Sequence, residues 1–212
     1  QTKILLKQCG HIDPEDIDAY IKIGGYEGVR KIFSLDPSEV IEEVRAAGLR
    51  GRGGAGFLTG LKWELCSNAD GSPKYIICNA DEGEVGTFKD RYIIGNDPFT
   101  LIEGIAIACY AVGAKTGYIY LRGEYHHLFD LLCRAVAQAQ NHGFLNHLTL
   151  EIREGAGAYV CGEESALMDS IEGKRGEARY KPPFPPSEGL WRKPTIINNV
   201  ETLMNIPQIV LN

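Results

Sequence analysis

What the sequence lacks narrows its function first. None of its apolar runs is long enough to cross a membrane, and Ile4-Leu5-Leu6 is far too short for a signal-peptide core. Positive charge is in deficit, with 22 Lys and Arg against 28 Asp and Glu, a formal net charge of −6 and a pI near 5.4. That balance argues against a nucleic-acid-binding surface. No C-x-x-C pair occurs among Cys9, Cys66, Cys78, Cys109, Cys133 and Cys161, so zinc or iron–sulfur ligation within the chain is not expected. The cysteines read instead as small buried hydrophobes of a reducing compartment. The five histidines, including His126-His127, lack the i, i+4 spacing of a helical metal site and read as surface or packing residues. No internal repeat or low-complexity tract is present. The first residue is Gln rather than Met, which reads as a trimmed or processed piece.

What is present is an ordinary globular composition, 44% hydrophobic and 24% charged over 212 residues, enough to bury a sizeable core as one domain or two small ones. Its most unusual stretch runs from Gly48 to Trp63, with Gly48, Gly51, Gly53, Gly54, Gly56 and Gly60 interleaved with Arg50, Arg52 and Lys62. Glycine allows positive φ and close approach to a ligand, and successive backbone N–H groups form an anion-attracting concavity. Gly51, Gly53 and Gly56 satisfy G-x-G-x-x-G, but that pattern means a dinucleotide turn only between a strand and a helix. The residues ahead of it read as a helix, capped at Asp36, with Pro37 first and Glu39 completing a capping box. The loop is therefore phosphate-binding in character without being the standard turn. A merely flexible linker would not leave Phe57, Leu61 and Trp63 in solvent.

Ahead of this loop, residues 1–33 form a helical lead-in, with a helix over 15–23 capped from Asp13-Pro14 and another over 26–33. Beyond it, 74–79 reads as a buried strand, and Asp97-Pro98 opens a helix apolar all round that Gly113 ends. A strand over 116–121, an amphipathic helix over 125–141, a strand over 148–153 and a short helix through Ile171 follow. Residues 181–186 are proline-rich and extended, carrying Phe184. Thr195–Asn199 precede a helix from about Val200 to Met204, with Pro207 close behind. Strands alternating with helices predict an α/β fold with a Rossmann-like, mostly parallel sheet flanked by helices.

Residues without an evident structural role gather in 50–62, 79–84, 155–165 and 195–199. Cations and amides dominate the first, carboxylates the second and third, side-chain amides the fourth. A dinucleotide or flavin needs that division, since phosphates want N–H, Arg or Lys while hydroxyls want carboxylates or Asn. Blander readings stand beside it. Asp81-Glu82-x-Glu84 could hold Mg²⁺ or be a solvated acidic turn paired with Lys89 and Arg91. Cys161 reads as packing rather than as a nucleophile.

Gly48–Phe57, Cys78-Asn-Ala-Asp-Glu82, Gly155-Ala-Gly-Ala-Tyr-Val-Cys-Gly-Glu-Glu164 and Asn198-Asn-Val-Glu-Thr202 together resemble the NADH-binding flavoprotein subunit of respiratory complex I. That family includes diaphorase subunits of NAD-linked hydrogenases and formate dehydrogenases. The lead-in, with Cys9-Gly-His-Ile-Asp-Pro14 and Gly24-Gly-Tyr26, is more similar to the hydrogenase and formate dehydrogenase branch. The resemblance implies an FMN- and NAD(H)-binding domain over 34–212. It also implies ubiquitin-like and [4Fe–4S] domains in full-length relatives that this chain does not contain.

It implies FMN held by Gly51, Arg52, Gly53, Gly54, Lys62, Asn79, Asp81, Glu82, Tyr159, Gly162, Asn198, Asn199 and Thr202. Phe57, Glu84, Glu163, Glu164 and Phe184 would surround the nucleotide. No side chain is required as general acid or base, because the flavin carries the chemistry. The implied partners are NADH and the iron–sulfur subunits of a larger redox complex, with no nucleic acid and no direct membrane insertion. The implied location is the cytoplasm, or the cytoplasmic or matrix face of a membrane complex. A flavin-free scaffold subunit and a non-redox nucleotide-binding enzyme remain as alternatives. Because the final helix would adjoin a domain outside this chain, Leu203, Ile206, Ile209, Val210 and Leu211 are expected to be partly exposed.

Overall fold

The computed structural model describes residues 4–212. Two short helices, α1 (Ile17–Lys22) and α2 (Glu27–Ile32), form the lead-in. α1 is shorter than the expected 15–23 and is capped by Asp16, whose carboxylate accepts from the amides of Asp18 and Ala19. α3 (Pro37–Ala46) carries the expected box: the Asp36 amide donates to Glu39 at 2.6 Å. The glycine-rich loop then leads into α4 (Thr59–Ser67).

β1 (Tyr75–Ala80), α5 (Lys89–Asn96), α6 (Pro98–Val112) and β2 (Thr116–Leu121) follow. The expected helix over 125–141 divides into a 3₁₀ segment at Gly123–Leu128, non-helical at Tyr125, and α7 (Phe129–Asn141). Then come β3 (Thr149–Glu154), α8 (Glu164–Ile171), β4 (Thr195–Asn199), α9 (Val200–Met204) and α10 (Ile206–Leu211). Pro207 does not end the last helical stretch. It sits in the first turn of α10, where its missing N–H costs nothing.

The four strands are ordered β3-β2-β1-β4 and every neighbouring pair is parallel, so the sheet is α/β as the alternation of elements predicted. Alternation along β1 divides the core. Ile76, Cys78 and Ala80 belong to the larger cluster with α3, α4, α6 and α9, while Ile77 belongs to a smaller one with Leu167, Met168 and Leu190. α6 is buried all round and forms the central rod of the larger layer. It lies against α9 at Gly104, where an added Cβ would come within 2.2 Å of the Leu203 carbonyl oxygen.

The lead-in packs onto this layer. Glu103, inside α6, accepts from the Tyr20 hydroxyl at 2.6 Å and the Tyr26 amide at 2.9 Å. α10 packs on α2, α3 and α6. As a result Leu203, Ile206 and Val210 are buried, contrary to the expected exposure, while Ile209 and Leu211 are partly exposed as expected. Five of the six cysteines are buried, as their apolar settings predicted, and Cys133 is half-buried. Among the described residues no helix is long and apolar enough to cross a membrane, and no group of three or more His, Cys, Asp or Glu is gathered to hold a metal.

Candidate functional site

Parallel strands carry their C-terminal ends to one edge of the sheet, and the loops leaving that edge enclose a cavity of about 570 Å³. It is lined from the glycine-rich loop by Arg52, Gly53 and Gly54, and from the end of β1 by Asn79, Asp81, Glu82 and Glu84. Tyr159, Gly162 and Glu163 line it from the segment after β3, and Asn199 from the end of β4. A wider groove of about 930 Å³ runs between α7 and β3. Its walls mix aliphatic and polar residues, and it lies along the side of the sheet, away from the loops that carry the motifs.

The glycine-rich loop is pinned at both ends. Arg50 and Leu58 form an antiparallel bridge, the Gly51 amide donates to the Phe57 carbonyl at 2.9 Å, and the Thr59 amide donates to Leu49 at 2.8 Å. At its tip the Arg52 amide donates to Thr202 Oγ1 at 2.9 Å, and Gly54 takes φ +116°, open to glycine and strained for other residues. Among the described residues, the amides of Gly53, Gly54 and Ala55 donate to no protein acceptor. They form a set of free donors beside the Arg52 guanidinium.

The β1 loop is held from two sides. Asn79 Nδ2 donates to the Gly162 carbonyl at 2.9 Å, and Asn79 Oδ1 accepts from the Asp81 amide at 3.0 Å. Asp81 lies 3.8 Å from the Arg122 guanidinium, yet burial outweighs that cation and pushes its carboxyl up to about 6. Glu82 is committed to the protein: it accepts from the Asp90 amide at 3.0 Å and from the Tyr125 hydroxyl at 3.1 Å. Across the mouth, the exposed Tyr159 hydroxyl donates to Glu84.

Apart from Glu163, which reaches the lining from its edge, the other expected residues stand outside it. Thr202 is buried and supports the loop through Arg52. Asn198 is buried and accepts from Trp63 Nε1 at 2.9 Å, on the larger-layer side of β4. Lys62 donates to the Ile197 carbonyl at 2.8 Å and lies 3.6 Å from Glu164, and burial lowers its pKa. Glu163 caps α8, accepting from the Ser165 amide at 2.8 Å and the Ala166 amide at 3.0 Å. Burial opposes its ionisation, but those bonds and Lys181 at 3.0 Å hold it below the usual range. Lys181 also reaches Glu164 at 2.5 Å. Gly51 lies at the pinned base of the loop, and Phe57 and Phe184 are both exposed, at 50% and 57%.

Sequence reasoning missed Arg122 and Asp90, and weighed Lys89 only as a surface partner of the acidic turn. Arg122 follows directly on β2, so the rule that ligands collect at strand ends could have found it. Asp90 is buried inside α5, an element without a strong apolar stripe, and only its partners across the chain reveal it. Its carboxyl is raised by burial despite the Lys89 ammonium at 2.6 Å.

The chemistry of the lining fits FMN. Unspent amides with Arg52 suit a phosphate, while Asp81 and the half-buried polar groups beside it suit hydroxyls. The comparisons agree. Residues 44–208 match the Nuo51 FMN-binding domain. The chain is 48% identical, over all of its length and 45% of the relative's, to the HndC subunit of the NADP-reducing hydrogenase of Solidesulfovibrio fructosivorans. It is 50% identical to the F subunit of the NADH-quinone oxidoreductase of Aquifex aeolicus, over 98% of the chain and 50% of the relative. Among solved structures, an NAD⁺-reducing [NiFe]-hydrogenase in the H₂-reduced state aligns with a TM-score of 0.86 at 42% identity, covering the whole chain and 35% of the other. The chain thus spans about half the length of these curated relatives. On the family match and the whole-chain identities together, this chain belongs to the Nuo51 FMN-binding domain family.

Proposed function

We propose that this chain is the FMN- and nicotinamide-nucleotide-binding part of a diaphorase subunit that oxidises NADH. Electrons would pass to iron–sulfur clusters carried elsewhere in a multi-subunit redox assembly of the complex I, hydrogenase or formate dehydrogenase type. Residues 34–212 are the binding domain in this reading and 1–33 its lead-in, working in the cytoplasm or at the cytoplasmic or matrix face of a membrane complex. The observation that carries it is the cavity at the strand ends, where free glycine-loop amides face buried carboxylates.

When bound, FMN supplies the hydride acceptor and the ability to release electrons singly. The chain's own part is binding and orientation. Gly53 and Gly54 let the backbone approach an anion, with Arg52 beside them, while Thr202 sets the height of the loop. Asn79 and Gly162 keep the two carboxylate-bearing loops at fixed separation. Asp81, Asn199 and Tyr159 border the same space. Phe57 and Phe184 are exposed ring faces on which a nucleobase can stack. Lys62, Glu163 and Glu164, joined through Lys181, form the rim on the α8 side.

The test is a visible flavin spectrum in the purified or FMN-reconstituted protein, followed by bleaching under NADH without oxygen. A protein that takes up no flavin overturns the proposal.

A further inference from the structure

At the floor of the cavity lies a closed polar triangle, two of whose corners, Lys89 and Asp90, lie outside the motifs quoted above. Asp90 is 2% exposed. Its Oδ1 accepts from Lys89 Nζ at 2.6 Å, and its Oδ2 accepts from Asn199 Nδ2 at 2.6 Å. Lys89 Nζ closes the figure by donating to Asn199 Oδ1 at 2.9 Å. That same oxygen accepts from the Glu201 amide at 3.0 Å, capping α9, and Glu201 lies 3.3 Å from Lys89. The Asp90 amide donates to Glu82 at 3.0 Å, so α5, the β1 loop and the start of α9 meet at one residue.

Two consequences follow from the geometry. Every polar atom of the Asn199 side chain has a protein partner, so its orientation is fixed, amide nitrogen to Asp90 and oxygen to Lys89. Asn199 is also the floor of the glycine-rich loop, since a Cβ on Gly53 would stand 3.4 Å from its Cβ. Second, Lys89 and Asp90 both line the cavity as a contact pair of opposite charge. Removing Lys89 leaves the buried Asp90 carboxylate without its counter-charge, and removing the Asp90 charge leaves the Lys89 ammonium only its pair with Glu201.

We propose that Asp90 is a positioning residue for the cofactor: it locks Asn199 under the glycine-rich loop and, with Lys89, balances the charge that the cavity presents to the flavin. This rests on the FMN reading above. A purely structural role would weaken binding in every variant alike. A charge-balancing role makes opposite demands of the two partners, because an uncompensated cation favours the more negative, reduced flavin and an uncompensated anion disfavours it.

The experiment measures FMN affinity by fluorescence quenching and the flavin midpoint potential by anaerobic titration, in the FMN-reconstituted chain and in three variants. Asp90→Asn should weaken FMN at least tenfold and move the potential to more positive values. Lys89→Met, at a site 41% exposed and so tolerant of change, should move it to more negative values. The double variant should return toward the unmodified potential while remaining weak in FMN. Potentials that shift in the same direction in both single variants, or not at all, overturn the proposal, as does Asp90→Asn with unchanged affinity. If Asp90→Asn does not fold, the sign of the Lys89→Met shift decides. An unmodified chain that binds no FMN overturns the parent reading and this proposal with it, whereas normal FMN binding with unmoved variants overturns only this one.

Discussion

Asn79 and Gly162 are joined across 83 positions by one hydrogen bond, Nδ2 to carbonyl oxygen at 2.9 Å, while the other end of the same amide holds the Asp81 backbone at 3.0 Å. One side chain therefore sets the spacing of the two carboxylate-bearing loops. Asn79→Ala should cost about 1–3 kcal/mol of stability, the penalty for leaving partly buried partners unpaired. It should also expose 155–163 to protease. Denaturant midpoints and limited proteolysis check this, and an unchanged cleavage pattern would show that the loops are held elsewhere.

Thr202 tests the glycine-rich loop from below. Its hydroxyl is fully buried and accepts from the Arg52 amide. Thr202→Val keeps the shape and removes the acceptor, so FMN should be retained about ten- to a hundredfold less well, equivalent to about 1.4–3 kcal/mol. Thr202→Ser should behave like the unmodified chain. Equal FMN affinity in the valine and serine variants would sink the assignment.

Much of this was legible in the sequence because local rules and tertiary structure agree. β2 at Thr116–Leu121 and α6 up to Gly113 carry their own boundaries in apolar pattern, Asp-Pro and glycine. The loops of the site were legible because glycine, cations and carboxylates are concentrated where backbone donors are free. α5 was not, because Lys89–Asn96 holds few apolar residues and is stabilised by partners far away in sequence. Asn198 and Asn199 look like one pair of amides. Strand alternation separates them, however, sending Asn198 to Trp63 and Asn199 to Asp90. The helix predicted over 125–141 kinks at Tyr125, whose hydroxyl reaches Glu82, a contact no periodicity encodes.

The rim at α8 bears on nucleotide choice. Glu163 is occupied as a helix cap, so Glu163→Gln should cost about 1 kcal/mol of stability through the lost cap and Lys181 pair. Glu164 caps nothing and is shared by Lys62 and Lys181. If the two carboxylates face the adenosine ribose, their charge opposes a 2′-phosphate and NADH is preferred over NADPH. Glu164→Gln should narrow that preference with little change in stability, and Lys181→Met should widen it. Steady-state kinetics with both nucleotides decide the matter, and equal use of the two by the unmodified protein refutes it.

Asp81 makes the chain sensitive to pH in a direction opposite to that of most carboxylates. Burial holds its folded pKa at about 6, above the value of roughly 3.9 in an unfolded chain. Between these values the folded state binds more protons than the unfolded one, so this group's contribution to stability falls as pH rises from about 4 to 6 and then levels off. The full span is about 3 kcal/mol, and Asp81→Asn should abolish it and raise stability at pH 8 relative to the unmodified apoprotein. Flavin should reverse the sign. Hydroxyl donors placed against Asp81 favour its ionised form, so FMN binding near pH 5.5 should release up to about three-quarters of a proton from this group, and none near pH 8. Calorimetry in buffers of differing ionisation enthalpy counts that proton directly. A proton count near zero at pH 5.5 in the unmodified chain, or an equal count in Asp81→Asn, would remove Asp81 from the cofactor's contacts. Release that disappears only in the variant would place the carboxylate against a donor of the bound ligand.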